Sequence, residues 1–345
     1  MNMPSIDPRF VHLKVRSEFS LVDSLVRIKP LVKTLVEQKM PAVALCDLCN
    51  FYGLIKFYQK AIDSGIKPIV GCDFEYLDDS DTRCIVTTLA QNNQGYANLR
   101  LLISRGFREG QKQGVPFIQR KWLAELGEGI IVISGAVQGD IGQAVVGERL
   151  EDARTHLRWW QAHFPNRFYL EVRRTGRQYE EDYLHQAVDL AIEHNCPIVA
   201  TNDVRFLHAD EYEAHEARVC INEGRALDDP RRVRGYSEEQ YFRSEEEMCE
   251  LFADLPEALA NSVEIAKRCH VVGRPVHGGK AIVGRGGEGV LWCKSVIDCD
   301  HRHIHLHCDF GAQAVMRIKI ADHKAAAMIE DDDRRSRASF SLAVV

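Results

Sequence analysis

The sequence contains no apolar run approaching the roughly 20 residues that a helix needs to cross a bilayer, and no signal peptide precedes Arg9. We therefore expect a cytoplasmic protein with no membrane partner. The sequence also lacks an excess of positive charge, since 44 basic and 50 acidic residues give a formal net charge of −6. That balance argues against a surface that coats nucleic acid generally, although it leaves room for a local basic patch.

No second CxxC pair accompanies Cys46 and Cys49, so the sequence lacks the arrangement that completes a structural zinc site. The 11 cysteines are scattered and odd in number. In a reducing compartment such residues are small buried hydrophobic side chains. With 345 residues, of which 45% are hydrophobic, the chain can bury one large core or two ordinary ones.

Buried-type strands alternate with amphipathic helices between residues 10 and 207. The stretch "PLVKTLVEQK" is typical of these helices, because its apolar residues recur on one helical face. The predicted strands cover residues 10–15, 42–46, 67–72, 83–89, 129–134, 167–172 and 197–201. This alternation predicts a mainly parallel sheet. We prefer a seven-stranded α/β barrel over an open doubly wound sheet, followed by two helices broken at Pro256.

Polar residues gather at the predicted strand ends, where parallel α/β proteins place their chemistry. The stretch "FVHLKVRSEFSLVD", residues 10–23, carries three of them at alternate positions of the first strand, which point the same way. The candidates are His12, Lys14 and Arg16, then Asp47 after the second strand, Asp73 after the third, and Asp203 and Arg205 after the seventh. They form either one charged cluster at the rim or ordinary helix N-caps, and their spacing alone does not decide between these.

Several stretches resemble one known family. They are "ALCDLCNFYGLIKFYQKA", "GIKPIVGCDF", "GYANLRLLISRGF", "PIVATNDVRFL" and "EMCELFADLPEALANSVEIAKRC". Together with the first strand they look like the amino-terminal region of bacterial DNA polymerase III alpha subunits of the proteobacterial type, which is a PHP (polymerase and histidinol phosphatase) domain. The resemblance runs over residues 9–269. It implies a distorted seven-stranded (β/α)7 barrel followed by a short helical segment.

The resemblance also implies where a metal site would lie. Catalytic PHP domains hold metals with His-x-His on the first strand, Asp-His after the second, an acid after the third and Asp-x-His after the last. The corresponding residues here are Lys14 and Arg16, Asp47 and Leu48, Asp73, and Asp203 and Arg205, with His12 just before the motif. Ammonium and guanidinium groups have no lone pair for a metal and repel a nearby divalent ion. We therefore expect a degenerate site without metal or catalytic residues.

Carboxylates left without a metal would repel one another. We expect at least one carboxylate–arginine pair across the barrel mouth, with the pKa of the carboxyl group lowered by its neighbour.

The composition and the residue pattern of the sequence change near Val271. We assign residues 1–270 to the PHP region and residues 271–345 to a divergent glycine-rich tail, which is a different domain, a linker or a non-native terminus. The tail contains "GRGGEG", a poor match to a dinucleotide fingerprint. It also contains alternating histidines that we interpret as accidental rather than metal-binding, namely His301, His303, His305 and His307.

The sequence lacks the palm domain in which alpha subunits carry their polymerase carboxylates. The chain therefore looks like a fragment or truncated product of a replicative polymerase, in which Mg²⁺ and DNA belong to the full-length enzyme. The resemblance implies a scaffold that docks the proofreading exonuclease and other replicase subunits. Two alternatives are an active PHP-type metal-dependent phosphoesterase and a nucleic-acid-binding module, the latter based on Arg231, Arg232 and Arg234 beside Tyr236.

Overall fold

A computed structural model divides the chain into two units, Met1–Val272 and Gly273–Val345. In the first unit the structure describes residues 8–78, 81–232 and 234–271. In the second it describes the backbone of four short strands.

Seven strands of the main sheet in the first unit follow one another in sequence order, and an eighth strand of two residues, Ile118–Gln119, pairs with the third. The seven are β1 (His12–Val15), β2 (Ala42–Leu48), β3 (Lys67–Leu77), β4 (Arg83–Ala90), β5 (Ile130–Ser134), β6 (Phe168–Val172) and β7 (Ile198–Ala200). Neighbouring strands are parallel, except that β4 runs antiparallel to both β3 and β5. The loop of residues 78–82 between β3 and β4 is too short for the crossover that parallel strands need. The seven predicted strands are confirmed, although β3 is longer than predicted.

The segment that follows β7 pairs with β1, so the two ends of the sheet are joined. Val204 forms a parallel bridge with Val15. The Arg16 backbone N–H donates to the Val204 carbonyl at 3.2 Å, and the Val204 N–H donates to the Lys14 carbonyl at 3.1 Å. The sheet is therefore curled as a PHP-type barrel requires, and the open doubly wound alternative is wrong.

The described part of the first unit also contains ten α-helices and a few short elements, which lie between the strands or after the last of them. The helices are α1 (Ile28–Glu37), α2 (Leu54–Asp63), α3 (Asn93–Glu109), α4 (Arg120–Glu125), α5 (Asp140–Val146), α6 (Leu150–His163), α7 (Glu180–Glu193), α8 (Tyr212–Glu223), α9 (Glu245–Leu251) and α10 (Pro256–Arg268). The 3₁₀ turns are Glu18–Asp23, Ala136–Gln138 and Ala209–Glu211, and the two-residue strands are Gln111–Lys112, Val115–Pro116 and Ile118–Gln119. The predicted break at Pro256 is confirmed, because proline fits the first turn of α10, where its missing N–H has no helical partner. None of these helices is long and apolar enough to cross a membrane.

Alternate residues of the strands belong to two separate apolar clusters. Val43, Leu45 and Val70 pack with helical side chains such as Leu31 and Phe57, which places that cluster on the outer, helix-covered face. Ala44, Cys46, Ile69 and Leu89 form the other cluster with Val263 and Ile265 of α10. The second cluster is tightly filled, since a Cβ on Gly71 would collide with Cys46 and Leu89. The inner face is therefore closely packed around Gly71, and polar side chains occupy the strand ends.

The second unit contains a four-stranded antiparallel sheet. Its strands are β8 (Lys280–Val283), β9 (Lys294–Asp298), β10 (His303–His307) and β11 (Val315–Lys319). Three of the four alternating histidines thus lie at alternate positions of β10. His301, the glycine run of residues 284–289 and the stretch "AAAMIEDDDRRSRA" lie outside the described residues.

Candidate functional site

Arg16, at the end of β1, is buried and pairs with two carboxylates. Its Nε donates to Asp73 Oδ2 at 2.8 Å, and its Nη1 donates to Asp23 Oδ2 at 2.6 Å. The Thr87 hydroxyl donates to the other Asp73 oxygen at 2.7 Å, because Thr87 lies opposite Asp73 in the β3–β4 register. Burial alone would lower the pKa of Arg16, but Asp73 and Asp23 outweigh it and hold that pKa well above its usual value. The guanidinium is therefore a permanent cation at the barrel mouth.

Asp203, three residues beyond β7, accepts hydrogen bonds from three arginines. Arg205 donates at 2.9 Å, Arg173 at 3.1 Å and Arg177 at 3.2 Å, and the Gln240 amide adds a contact at 3.2 Å. Burial would raise the pKa of Asp203, but the surrounding cations hold it well below its usual range. The expected carboxylate–arginine pairing is confirmed, and so is the lowered pKa of one carboxyl group.

Glu171 of β6 is a further member of the cluster that the sequence prediction missed. It is fully buried. Its carboxylate accepts from Arg173 at 2.9 Å and from the Thr201 hydroxyl at 2.5 Å, and it lies 3.4 Å from the ammonium of Lys14. The sequence does contain a signal that could have identified Glu171, namely an acidic residue inside the apolar strand "RFYLEV". A buried carboxylate needs a cationic or hydrogen-bonding partner.

Asp47 lies apart from these ion pairs. Ser17 donates to it from both its backbone N–H, at 2.7 Å, and its hydroxyl, at 2.8 Å, and the Ser20 hydroxyl donates at 2.7 Å. Burial raises the pKa of Asp47, and the serine hydrogen bonds only partly offset that effect. The Ser20 hydroxyl also accepts from the backbone N–H of half-buried Leu48 at 3.1 Å. Among the described contacts Asp47 forms no ion pair with the rim cations, because it shares its strand face with Val43 and Leu45, although Arg16 is near enough to lower its pKa.

His12 is also separate from the charged residues. Its ring lies 4.8 Å from that of Phe10 and 4.3 Å from that of Phe242, and its Nε2–H donates to the Arg243 carbonyl at 2.8 Å. Burial lowers the pKa of His12 to about 4. The register of β1 shifts between His12 and Val15, so the simple alternation that grouped His12 with Lys14 and Arg16 does not hold.

The helix-capping alternative for the aspartates is wrong. Asp73 lies inside β3, which continues to Leu77 rather than ending before the aspartate. The N-cap of α2, the helix that follows Asp47, is Gly53. Asp203 accepts side-chain hydrogen bonds from cations and caps no described helix. Asp73 and Asp203 are therefore parts of the barrel interior and its mouth, where arginines hold them in ion pairs.

The residues present do not fit a metal. Lys14, Arg16, Leu48 and Arg205 have no donor lone pair, and the retained carboxylates of Asp73 and Asp203 are engaged by guanidinium groups. Across the described residues, no group of three or more His, Cys, Asp and Glu side chains could hold a metal ion.

The positive charge of the arginine-rich loop after α8 is compensated largely by acidic residues of the same chain. Arg232 is paired with the buried carboxylate of Glu216, and Arg231 with Asp229 at 2.8 Å. The Tyr236 hydroxyl donates to Asp23, the partner of Arg16. The Tyr236 contact ties the loop to the barrel mouth, and the two ion pairs engage the arginines within the loop and with α8, so these contacts do not favour the nucleic-acid-binding hypothesis.

Comparison with known proteins gives consistent matches for the first unit. Residues 12–175 match the model of the PHP domain family. The chain is 53% identical over 265 residues to the DNA polymerase III subunit alpha of Pseudomonas fluorescens, which covers 76% of this chain and 22% of that protein. The corresponding subunit of Vibrio cholerae is 50% identical over 270 residues, covering 78% and 23%. That of Escherichia coli K12 is 51% identical over 270 residues, with the same coverage.

The chain thus spans less than a quarter of the length of these relatives. Among solved structures, an amidohydrolase of Chromobacterium violaceum is 12% identical, with a TM-score of 0.42, covering 60% of this chain and 96% of that one. This similarity is too weak to bear on function.

Proposed function

This chain carries a PHP domain of the kind found in proteobacterial DNA polymerase III alpha subunits, and we propose that it serves DNA replication in the cytoplasm as the amino-terminal part of such a subunit. In this proposal the barrel catalyses no reaction of its own. It acts as a scaffold that docks the proofreading exonuclease subunit, while DNA and Mg²⁺ are bound by the remainder of the polymerase.

The observation that carries the proposal is the pairing of cations with carboxylates at the barrel mouth. Arg16 and Arg205 stand where catalytic relatives would have metal-binding histidines, and they hold Asp73 and Asp203 in direct ion pairs. A buried carboxylate bound to guanidinium is held in place by charge-assisted hydrogen bonds, but the pair cannot supply the activated water that a metal would. The arrangement thus supports a structural role for the barrel.

A scaffold function needs exterior surface rather than an open site. Stable protein complexes commonly bury about 1,600 Å² in total, and the helices and loops around a barrel of this size offer such an area. Because Arg16 and Arg205 are buried, they offer a partner little direct contact. We therefore expect docking to depend on exposed side chains of the first unit and not on the cluster inside the mouth.

The test is a calorimetric titration of the full chain with the proofreading exonuclease subunit from the same organism. We expect a complex with a dissociation constant in the tens of micromolar or tighter, about −6 kcal/mol or better. A full-length alpha subunit titrated with the same exonuclease is the positive control. If the control binds and the folded chain does not, docking by this chain is refuted.

The rival hypothesis, an active metal-dependent phosphoesterase, requires metal ligands that the mouth does not offer. It predicts that the purified chain retains Zn²⁺ or Mn²⁺ and hydrolyses phosphate esters. The effect of metals on stability, considered in the Discussion, separates the two hypotheses.

A further inference from the structure

We draw no further inference here: the strongest candidate, the apolar surface formed at the barrel mouth by exposed Leu21 and Tyr179, which both have positive φ angles, is one for which nothing in the described structure shows what covers it.

Discussion

At the scale of single residues, the barrel mouth is organised by buried charge pairs. Arg16, Arg173 and Arg205 are almost fully buried, and each contacts at least one buried carboxylate. A buried charge loses its hydration, so each side chain depends on its partner for compensation. Removing one member of a pair is consequently more damaging than removing an exposed charge of the same type.

Replacing Arg16 by methionine tests this dependence. Within the described residues the substitution leaves buried Asp73 with only the Thr87 hydroxyl as a close partner, and it also removes the cation paired with Asp23. We therefore expect a loss of about 3–5 kcal/mol in the free energy of unfolding, measured with urea. The double variant R16M/D73N should lose less than the sum of its single variants, because the two side chains interact.

The matched control for Arg16 is Lys33→Met. Lys33 is 77% exposed and pairs with Glu37 at 3.5 Å, and exposed pairs of this kind contribute at most about 0.5 kcal/mol. An R16M variant that is as stable as K33M would show that the buried pair contributes nothing.

His12 predicts a pH dependence of stability. Burial lowers its pKa to about 4 in the folded chain, against about 6.5 when unfolded. Between these values the unfolded chain binds a proton that the folded chain does not, so stability falls as the pH falls from about 6.5 towards 4 and levels off below. From pH 6.5 to 4.5 we expect His12 to account for about 2 kcal/mol of the loss.

Urea unfolding of a His12→Gln variant at both pH values measures this contribution. The wild-type chain should lose about 2 kcal/mol more than the variant over this interval. His185→Gln, which alters an exposed histidine of α7, should keep the wild-type pH dependence. Equal pH dependence of wild type and His12→Gln would show that folding does not lower the pKa of His12.

At the scale of elements, α9 begins with a complete capping box. The Ser244 hydroxyl accepts from the Glu247 backbone N–H at 3.2 Å, and the Glu247 carboxylate accepts from the Ser244 N–H at 2.6 Å. These bonds satisfy two backbone donors that have no partner inside a helix. We expect Ser244→Ala to lower the free energy of unfolding by about 1 kcal/mol.

Ser104 provides the matched control for the cap. It lies inside α3 and donates from its hydroxyl to the Arg100 carbonyl at 2.9 Å. Alanine favours helix interiors, so Ser104→Ala should change stability by less than about 0.5 kcal/mol. If chemical denaturation gives the same small change for Ser244→Ala, the cap of α9 is not a stabilising feature.

The elements were more predictable from the sequence than the site. Apolar runs and helical periodicity are local signals, so the seven strands and the break at Pro256 could be read directly from the residues. The separation of Asp47 from Asp73 depends on which strand face each one occupies, and that is set by the β2–β3 register, in which Asp47 lies opposite Cys72 and Leu48 opposite Asp73. Glu171 was overlooked because it lies within an apolar strand, and its partners Lys14 and Thr201 come from distant parts of the chain.

At the scale of the whole molecule, the ion pairs connect strands that lie far apart in sequence. Lys14 joins β1 to Glu171 of β6, and Arg16 joins β1 to Asp73 of β3. We expect these ion pairs, rather than a bound metal, to hold the strand ends together. The barrel should therefore keep its stability when metals are removed.

Thermal unfolding with and without a chelator tests this expectation. The midpoint temperature of unfolding should be the same in EDTA as in buffer. Added Zn²⁺ or Mn²⁺ should not raise it, whereas a metal that bound the folded state would stabilise that state and raise the midpoint. Phosphate-ester hydrolysis measured in the same samples should stay at background. A midpoint that falls in EDTA, together with metal-dependent hydrolysis, would support the phosphoesterase hypothesis instead.

The bridge between Val15 and Val204 has a consequence for synthesis of the chain. β1 obtains this second neighbour only after about 190 further residues have been made, which gives the barrel a high contact order. At about 5–20 residues per second, the ribosome needs roughly 10–40 s to complete that interval. During this time one edge of β1 has no partner strand, and unpaired edges promote aggregation. The nascent barrel is therefore most prone to aggregation before residue 204 emerges from the ribosome, because until then β1 lacks its second neighbour.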